Sequence, residues 1–211
     1  MKRYVFLFMF GLLFLSGCGG FGSERGMSGS NLDPESKEQV TENIEGQTYS
    51  TIENLLEDNF TLVDVISEGT NETTRIYGTR QFSLDELANL LEQGTNPEEV
   101  SDVQNQKQVL IYSDDILTLQ MDENEDGLLL IELATTEFVR NHYSPNYFNG
   151  FFALWLLDDV LDVDDWAKKR SNRCAGGDCY GGYMNTQKYR SGSAGSFRGF
   201  SSRGGGPGVG K

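Results

Sequence analysis

Residues 116–139, ILTLQMDENEDGLLLIELATTEFV, contain two apolar stretches on either side of an acidic turn. The stretches 116–121 and 128–139 are rich in residues that favour strands. The pair Asp126-Gly127 between them is typical of a β-hairpin, because both positions of a tight turn must tolerate positive φ. We therefore expect the chain to be built around an antiparallel sheet.

Other stretches predict the neighbours of this hairpin. Residues 60–67 (FTLVDVIS) and 73–82 (TTRIYGTRQF) surround a polar turn and predict a second hairpin. Residues 108–113 (QVLIYS) predict a fifth strand. Strands joined by hairpins predict antiparallel rather than parallel pairing.

Two helices are expected among these strands. Ser83 and Glu86 have the spacing of a capping box, and Gly94 marks the end of that helix. Ser50 and Glu53 predict the same cap for a shorter helix before the first hairpin. The element order predicts an α+β fold, with a small antiparallel sheet and two or three helices packed on one face.

The segment 143–166 combines aromatic and acidic residues. Its apolar run 151–157 is followed by five aspartates between Asp158 and Asp165. We expect a helix whose apolar half closes the open side of the sheet. An exposed apolar patch for a partner is the alternative, although monomeric proteins rarely expose such surface.

These features divide the chain into four parts. We expect residues 1–17 to be a signal peptide, 18–48 a flexible acidic linker, 49–166 the α+β domain, and 167–211 a basic Gly- and Ser-rich tail that does not pack apart from a clip at its two cysteines. Within the linker, the apolar positions of 35–44 are too sparse to predict a stable helix.

The first eighteen residues resemble the signal of bacterial lipoproteins. Two basic residues precede an apolar segment, 4–15, which ends in the lipobox Leu15-Ser16-Gly17-Cys18. The apolar segment is shorter than the roughly 20 residues of a membrane span. An ordinary signal peptide would end in an A-x-A-like site instead. We expect palmitate-type lipid on Cys18 and a location on the outer face of the cytoplasmic membrane.

Charge is distributed unevenly along the chain. Positions 18–165 hold 31 acidic and 6 basic residues, whereas positions 166–211 hold 1 acidic and 9 basic residues. Arg198-Gly199 and Arg203-Gly204 resemble RGG repeats of RNA-binding tails. On an exported protein, the same charges favour anionic lipid or wall polymer. We therefore expect no nucleic-acid partner.

Residues that could carry chemistry are few. Asp122, Asn124 and Asp126 match the opening of an EF-hand loop, but its twelfth position is Leu133 instead of Glu. We expect a charged turn there, with these three residues as the metal candidates and no bound cofactor. His142 is the only histidine, and the residue sets of catalytic triads, zinc sites and phosphate loops are missing. The sequence predicts no enzyme.

Cys174 and Cys179 form an even pair after Cys18 is lipidated. A disulfide is the first interpretation for an exported chain, and free or redox-active thiols are the second. A metal site is the third, because two cysteines supply half of a tetrahedral shell. Thioredoxin-like chemistry normally uses C-x-x-C rather than this C-x4-C spacing.

The lipobox, the α+β body, the aromatic-acidic stretch and the closing segment Arg173-Cys174-x4-Cys179-Tyr180-Gly-Gly resemble one lipoprotein family of Gram-positive bacteria. It is the domain-of-unknown-function family DUF4247. The resemblance implies a membrane location and a neighbouring membrane protein as partner, since relatives tend to be encoded beside small membrane proteins. Some of those neighbours are linked to membrane-stress or polyamine functions. It carries over no catalytic residue.

Three functional hypotheses follow. The first is a non-enzymatic lipoprotein that acts as a scaffold or accessory subunit for membrane or envelope proteins. The second is an extracytoplasmic module that binds cations or polyamines at the acidic clusters 115–126 and 158–165. The third is an extracytoplasmic thiol or disulfide protein.

Overall fold

The computed structural model describes residues 32–68 and 71–185. Within them lie six α-helices: α1 (Lys37–Gly46), α2 (Ile52–Asn59), α3 (Leu84–Thr95), α4 (Thr136–His142), α5 (Leu154–Val160) and α6 (Trp166–Cys174). The strands are β1 (Thr61–Ser67), β2 (Thr73–Thr79), β3 (Glu99–Val100), β4 (Lys107–Ile111), β5 (Asp115–Met121) and β6 (Leu129–Thr135). A short 3-10 helix covers Pro145–Phe148.

The strands form one sheet in the order β1-β2-β6-β5-β4-β3, and every neighbouring pair is antiparallel. Strands β5 and β6 pair along their whole length, from Asp115 opposite Thr135 to Met121 opposite Leu129. The predicted antiparallel sheet and the α+β class are confirmed.

Three helices cover one face of the sheet, which we call face A. Side chains alternate along β6, so Leu129, Ile131 and Leu133 point to this face. They pack with the buried stripes of α1, α2 and α3, to which Leu56 and Leu91 belong. The helices on this face agree with the predicted number.

The opposite face, face B, is covered by α4, the 3-10 helix, α5 and α6. Val109, Ile116 and Ala134 pack there against residues from these helices, such as Phe138 and Leu157. The expectation that segment 143–166 closes the open side of the sheet is confirmed. It does so through several short helices instead of one.

Local hydrogen bonds decide where the helices begin. Ser83 and Glu86 form the predicted reciprocal capping box of α3. The prediction for α2 is wrong by one residue, because Thr51 accepts the hydrogen bond from Asn54 N at 3.2 Å. Ser50 instead accepts a hydrogen bond from the side chain of Asn54.

Gly94 does not end α3 as predicted. The helix continues to Thr95, and Asn96 adopts the left-handed conformation with φ 50°. A Cβ on Gly94 would lie 2.7 Å from Ile44 Cγ2 and 3.0 Å from the Ile44 carbonyl oxygen. Gly94 therefore permits the close approach of α1 to α3.

The hairpin around Asp126-Gly127 also differs from the prediction. The chain leaves β5 at Met121 and enters β6 at Leu129, so the connection is longer than a two-residue turn. Gly127 has φ 74°, but Asp126 does not have a positive φ. The predicted strand over 128–139 stops at Thr135, because the Thr135 side chain accepts a hydrogen bond from Phe138 N and caps α4.

The folded body is longer at both ends than the predicted 49–166. Leu32, Val40 and Ile44 are buried, so the described end of the expected linker is packed. Helix α1 has two buried apolar residues, Val40 and Ile44, one helical turn apart. These two residues are enough to hold α1 on the body because Gly94 of α3 lets the two helices approach closely. At the other end, Tyr180 is buried on face B within the segment expected to be an unpacked tail.

Candidate functional site

Trp155 is the most exposed large apolar side chain in the described part of the chain. It lies in the first turn of α5 with 71% of its surface exposed. Leu157, two residues later and so on the opposite side of the helix, is fully buried against face B. Part of the apolar run 151–157 is therefore packed and part is exposed. Phe151 and Phe152 pack against the core, as the first interpretation of the sequence expected, whereas the indole of Trp155 faces solvent, as the alternative expected.

The exposed indole borders an acidic pocket, which we call the Trp155 pocket. It has a volume of about 520 Å³ and is lined by Trp155, Asp158, Asp159, Asp162, Val163 and Asp164. Carboxylates attract cations, and the face of an indole favours a cation placed over it. The pocket is therefore suited to a basic side chain or an organic cation that also carries apolar surface.

Its walls are shaped by the connection between α5 and α6. Asp158 accepts hydrogen bonds from Trp166 N at 2.9 Å and Asp165 N at 3.2 Å, so its carboxylate holds the start of α6. Asp162 and Asp165 have left-handed backbone conformations, with φ of 50° and 53°. Asp159, Asp162 and Asp164 are exposed, and these three carboxylates are available to a ligand.

A second group of polar residues lies buried beneath face B. Glu132 is 4% exposed and accepts hydrogen bonds from the Tyr143 hydroxyl at 2.5 Å and from Tyr183 N at 3.1 Å. Burial raises the pKa of Glu132, and these two hydrogen bonds oppose that shift. Lys107 Nζ lies 4.0 Å from the centroid of the Tyr147 ring. Burial lowers the pKa of Lys107, whereas the charge of Glu132 raises it. The hydrogen bond from Tyr183 N to Glu132 connects β6 to the C-terminal segment.

The structure contains the disulfide between Cys174 and Cys179, with a Cα–Cα distance of 5.2 Å. Arg170 donates to the Tyr143 carbonyl at 3.1 Å and contacts Cys179 Sγ at 3.1 Å. The backbone of Tyr180 then pairs with the segment from His142 to Ser144. The cysteines therefore belong to the packed body and return the chain to face B.

The metal candidates of the β5–β6 connection take part in the turn itself. Asp122 Oδ1 accepts hydrogen bonds from Asn124 N at 2.7 Å and Glu125 N at 3.1 Å. Arg80 donates to the Asp126 carbonyl at 2.9 Å and forms an ion pair with Glu125. In residues 32–68 and 71–185, no group of three or more His, Cys, Asp or Glu side chains is arranged to hold a metal ion.

His142 has a partner that the sequence did not reveal. Its Nε2 lies 2.6 Å from Glu72 Oε2, and its ring packs 4.7 Å from the Phe138 ring. The hydrogen bond from His142 lowers the pKa of Glu72. This pair ties the end of α4 to the start of β2.

The remaining predicted residues lie outside the described part of the chain. They are the lipobox residues Leu15, Ser16 and Gly17, the lipidation site Cys18 and the arginines of the RGG-like tail. Among the described residues, no helix is both long and apolar enough to cross a bilayer.

Sequence analysis missed Glu132 and the exposure of Trp155. An isolated acid within the apolar stretch LLLIELA was the available signal for Glu132, because a charged residue is rarely buried without partners. Nothing local distinguishes Trp155 from the core aromatics beside it.

Residues 39–211 match the family described as "Domain of unknown function (DUF4247)". Neither the curated proteins nor the solved structures gave a match.

Proposed function

The chain belongs to the DUF4247 family, a domain of unknown function, and we propose that it is a membrane-anchored extracytoplasmic lipoprotein that serves as a non-enzymatic scaffold or accessory subunit. The lipobox at residues 15–18 supports the anchor. Two or three acyl chains on Cys18 would hold the body at the membrane permanently. Its partner is then a neighbouring membrane or envelope protein.

The observation that carries the accessory role is the Trp155 pocket. Trp155 is 71% exposed beside three exposed carboxylates, whereas Phe151, Phe152 and Leu157 of the same segment pack against face B. Large aromatic residues are enriched at protein interfaces, and acids around them favour a basic partner. We expect the pocket to bind a segment of the partner protein that carries a basic residue and an apolar side chain. This segment would lie close to the membrane surface.

Crosslinking in intact cells tests this role. A photoreactive phenylalanine at Trp155 should capture an integral membrane protein, and adding D159N, D162N and D164N should reduce that product at least fivefold. The same residue at Val103, which is 46% exposed, is the matched control and should capture none. Recovery of only monomer from Trp155, or equal products from both positions, would contradict the accessory role.

The anchor is tested separately. Cells grown with labelled palmitate should label the wild-type chain and not the C18S variant. An unlabelled wild-type chain that stays in the cytosol would refute the lipoprotein proposal.

A second candidate, a module that binds cations or polyamines, is favoured by the same indole and carboxylates. Trp166 is buried, so a change in tryptophan fluorescence on adding spermidine or Ca²⁺ would report mainly on Trp155. The variant D159N/D162N/D164N should weaken such binding at least tenfold. The control E42Q/E45Q/E92Q removes three exposed acids from α1 and α3. Equal losses in both variants would mean diffuse counterion attraction and would exclude a built site.

A further inference from the structure

The sheet ends in two edge strands of very different length. Strand β3, at one end of the order, has two residues, whereas β1, at the other end, has seven. Within residues 32–68 and 71–185, no strand pairs with the outer side of β1. Its sequence, TLVDVIS, holds a single charged residue and neither lysine nor proline, which commonly protect edge strands against pairing. Strand β1 is therefore an edge suited to accept a further strand.

The ladder between β1 and β2 fixes which backbone groups of β1 point outwards. After a bulge near its start, β1 pairs regularly, with Val65 opposite Arg75. Glu68 N donates to the Glu72 carbonyl at 3.1 Å just beyond the two strands. Because antiparallel residues alternate between bonded and unbonded positions, Ile66 bonds to β2 and Val65 directs its N–H and C=O away from it.

The outward N–H of Val65 is satisfied by its own neighbour. Asp64 Oδ1 accepts a hydrogen bond from Val65 N at 2.8 Å. Asp64 Oδ2 accepts one from the Tyr183 hydroxyl at 3.2 Å, so the C-terminal segment holds the carboxylate in this position. A cation that draws this carboxylate away would leave the Val65 N–H ready to bond to an added strand.

Side chains of β1 alternate between the two sides of the edge. Ile66 is buried on face B, and Asp64 and Glu68 lie two residues before and after it, on the same side of the chain. Val65 points the other way and is 42% exposed. A strand that pairs here therefore meets carboxylates with one set of its alternate side chains and a valine with the other set.

A second copy of the chain does not suit this edge. Residues 32–185 hold 31 acidic and 9 basic residues, so two bodies repel each other. In a symmetric antiparallel pair centred on Val65, the two Asp64 carboxylates would be diagonal neighbours, about 7–8 Å apart. A strand with basic residues is favoured both by the local carboxylates and by the charge of the whole body.

We propose that β1 binds an extended segment of another protein by strand addition, and that this segment alternates basic with apolar side chains. Its basic side chains contact Asp64 and Glu68, an apolar side chain packs on Val65, and its backbone bonds to the outward groups of Val65. The proposal requires neither the lipid anchor nor the Trp155 pocket. It gives the body a second, independent contact surface for a partner.

Peptide titration followed by NMR tests strand addition on the mature chain with Cys18→Ser. The probe is a peptide of seven residues, the length of β1, in which valine alternates with lysine. Its matched control has the same sequence and charge but carries a methyl group on every backbone nitrogen. The control should bind at least tenfold more weakly, because it cannot donate ladder hydrogen bonds. Only the unmethylated peptide should protect the Val65 amide from hydrogen exchange.

Substitutions locate the binding site. Val65→Lys places a positive charge on the edge and should weaken binding of the unmethylated peptide at least tenfold. Val103→Lys is the matched control, because Val103 is 46% exposed and lies outside β1, and it should change binding less than threefold. The variant D159N/D162N/D164N removes three charges from the Trp155 pocket and should also change binding less than threefold.

Several results would overturn the proposal. Equal binding of the two peptides, or equal effects of the two lysine substitutions, would show only diffuse attraction to an acidic body. An unprotected Val65 amide would place the peptide elsewhere. A dimer that forms without peptide and that Val65→Lys dissociates would assign the edge to a second copy. None of these results depends on crosslinking at Trp155, so the accessory role proposed above is tested separately.

Discussion

Replacing Gly94 by alanine should destabilise the protein, although alanine is the better helix former. Gly94 lies within α3, where α1 crosses it. A methyl group would lie 2.7 Å from Ile44 Cγ2 and 3.0 Å from the Ile44 carbonyl oxygen. The second contact is with backbone, so a change of side-chain rotamer cannot relieve it. Helix α1 would have to move away from α3.

The size of the effect follows from two opposing contributions. Alanine in a helix interior is favoured over glycine by about 1 kcal/mol. Overpacking of a close contact typically costs about 1–3 kcal/mol, and the backbone contact favours the upper part of that range. The net loss should therefore be about 1–2 kcal/mol. In a body of this size it would lower the melting temperature by about 3–8 °C.

Urea unfolding of the mature chain with Cys18→Ser, followed by circular dichroism, measures the loss. Gly46→Ala is the matched control, because Gly46 ends α1 and a Cβ there would have no neighbour within 4 Å. We expect Gly46→Ala to be neutral or slightly stabilising. Equal or greater stability of Gly94→Ala would refute the close approach of the two helices.

Three further predictions concern other parts of the body. Replacing Cys174 and Cys179 by serine should lower the free energy of unfolding by about 2 kcal/mol, because the short loop is no longer constrained in the unfolded chain; unchanged urea unfolding would contradict this. Tyr143→Phe removes a donor from the buried carboxylate of Glu132 and should cost about 1–3 kcal/mol in the same assay. Asp115 has its pKa raised to about 6, chiefly by burial and then by the charges of nearby acids. A raised pKa means that the folded state binds protons more tightly, so ionised Asp115 destabilises the fold above pH 6. Asp115→Asn should therefore stabilise the protein by about 1–2 kcal/mol at pH 7, and this gain should disappear as the pH falls from 6 to 4; a gain independent of pH would contradict the burial argument.

Parts of the candidate site could be predicted from sequence, and parts could not. The acidic run after the apolar stretch was visible, as was the pair of cysteines. The exposure of Trp155 was not, because an apolar residue in a short helix faces solvent or core according to which neighbour covers it. Glu132 and Tyr183 are separated by 51 positions, so their hydrogen bond could not be read from either local segment.

The sequence by itself determined the capping box of α3, the antiparallel pairing around 116–135 and the lipobox pattern. These features depend on residues a few positions apart, whose hydrogen bonds and side-chain alternation are local. Only the tertiary structure decided that α1 packs on α3 across Gly94, that the disulfide returns the chain to face B, and that Leu32 and Met184 pack in the same apolar cluster. Those contacts join distant segments, and their stability depends on surfaces that exist only after the sheet has formed.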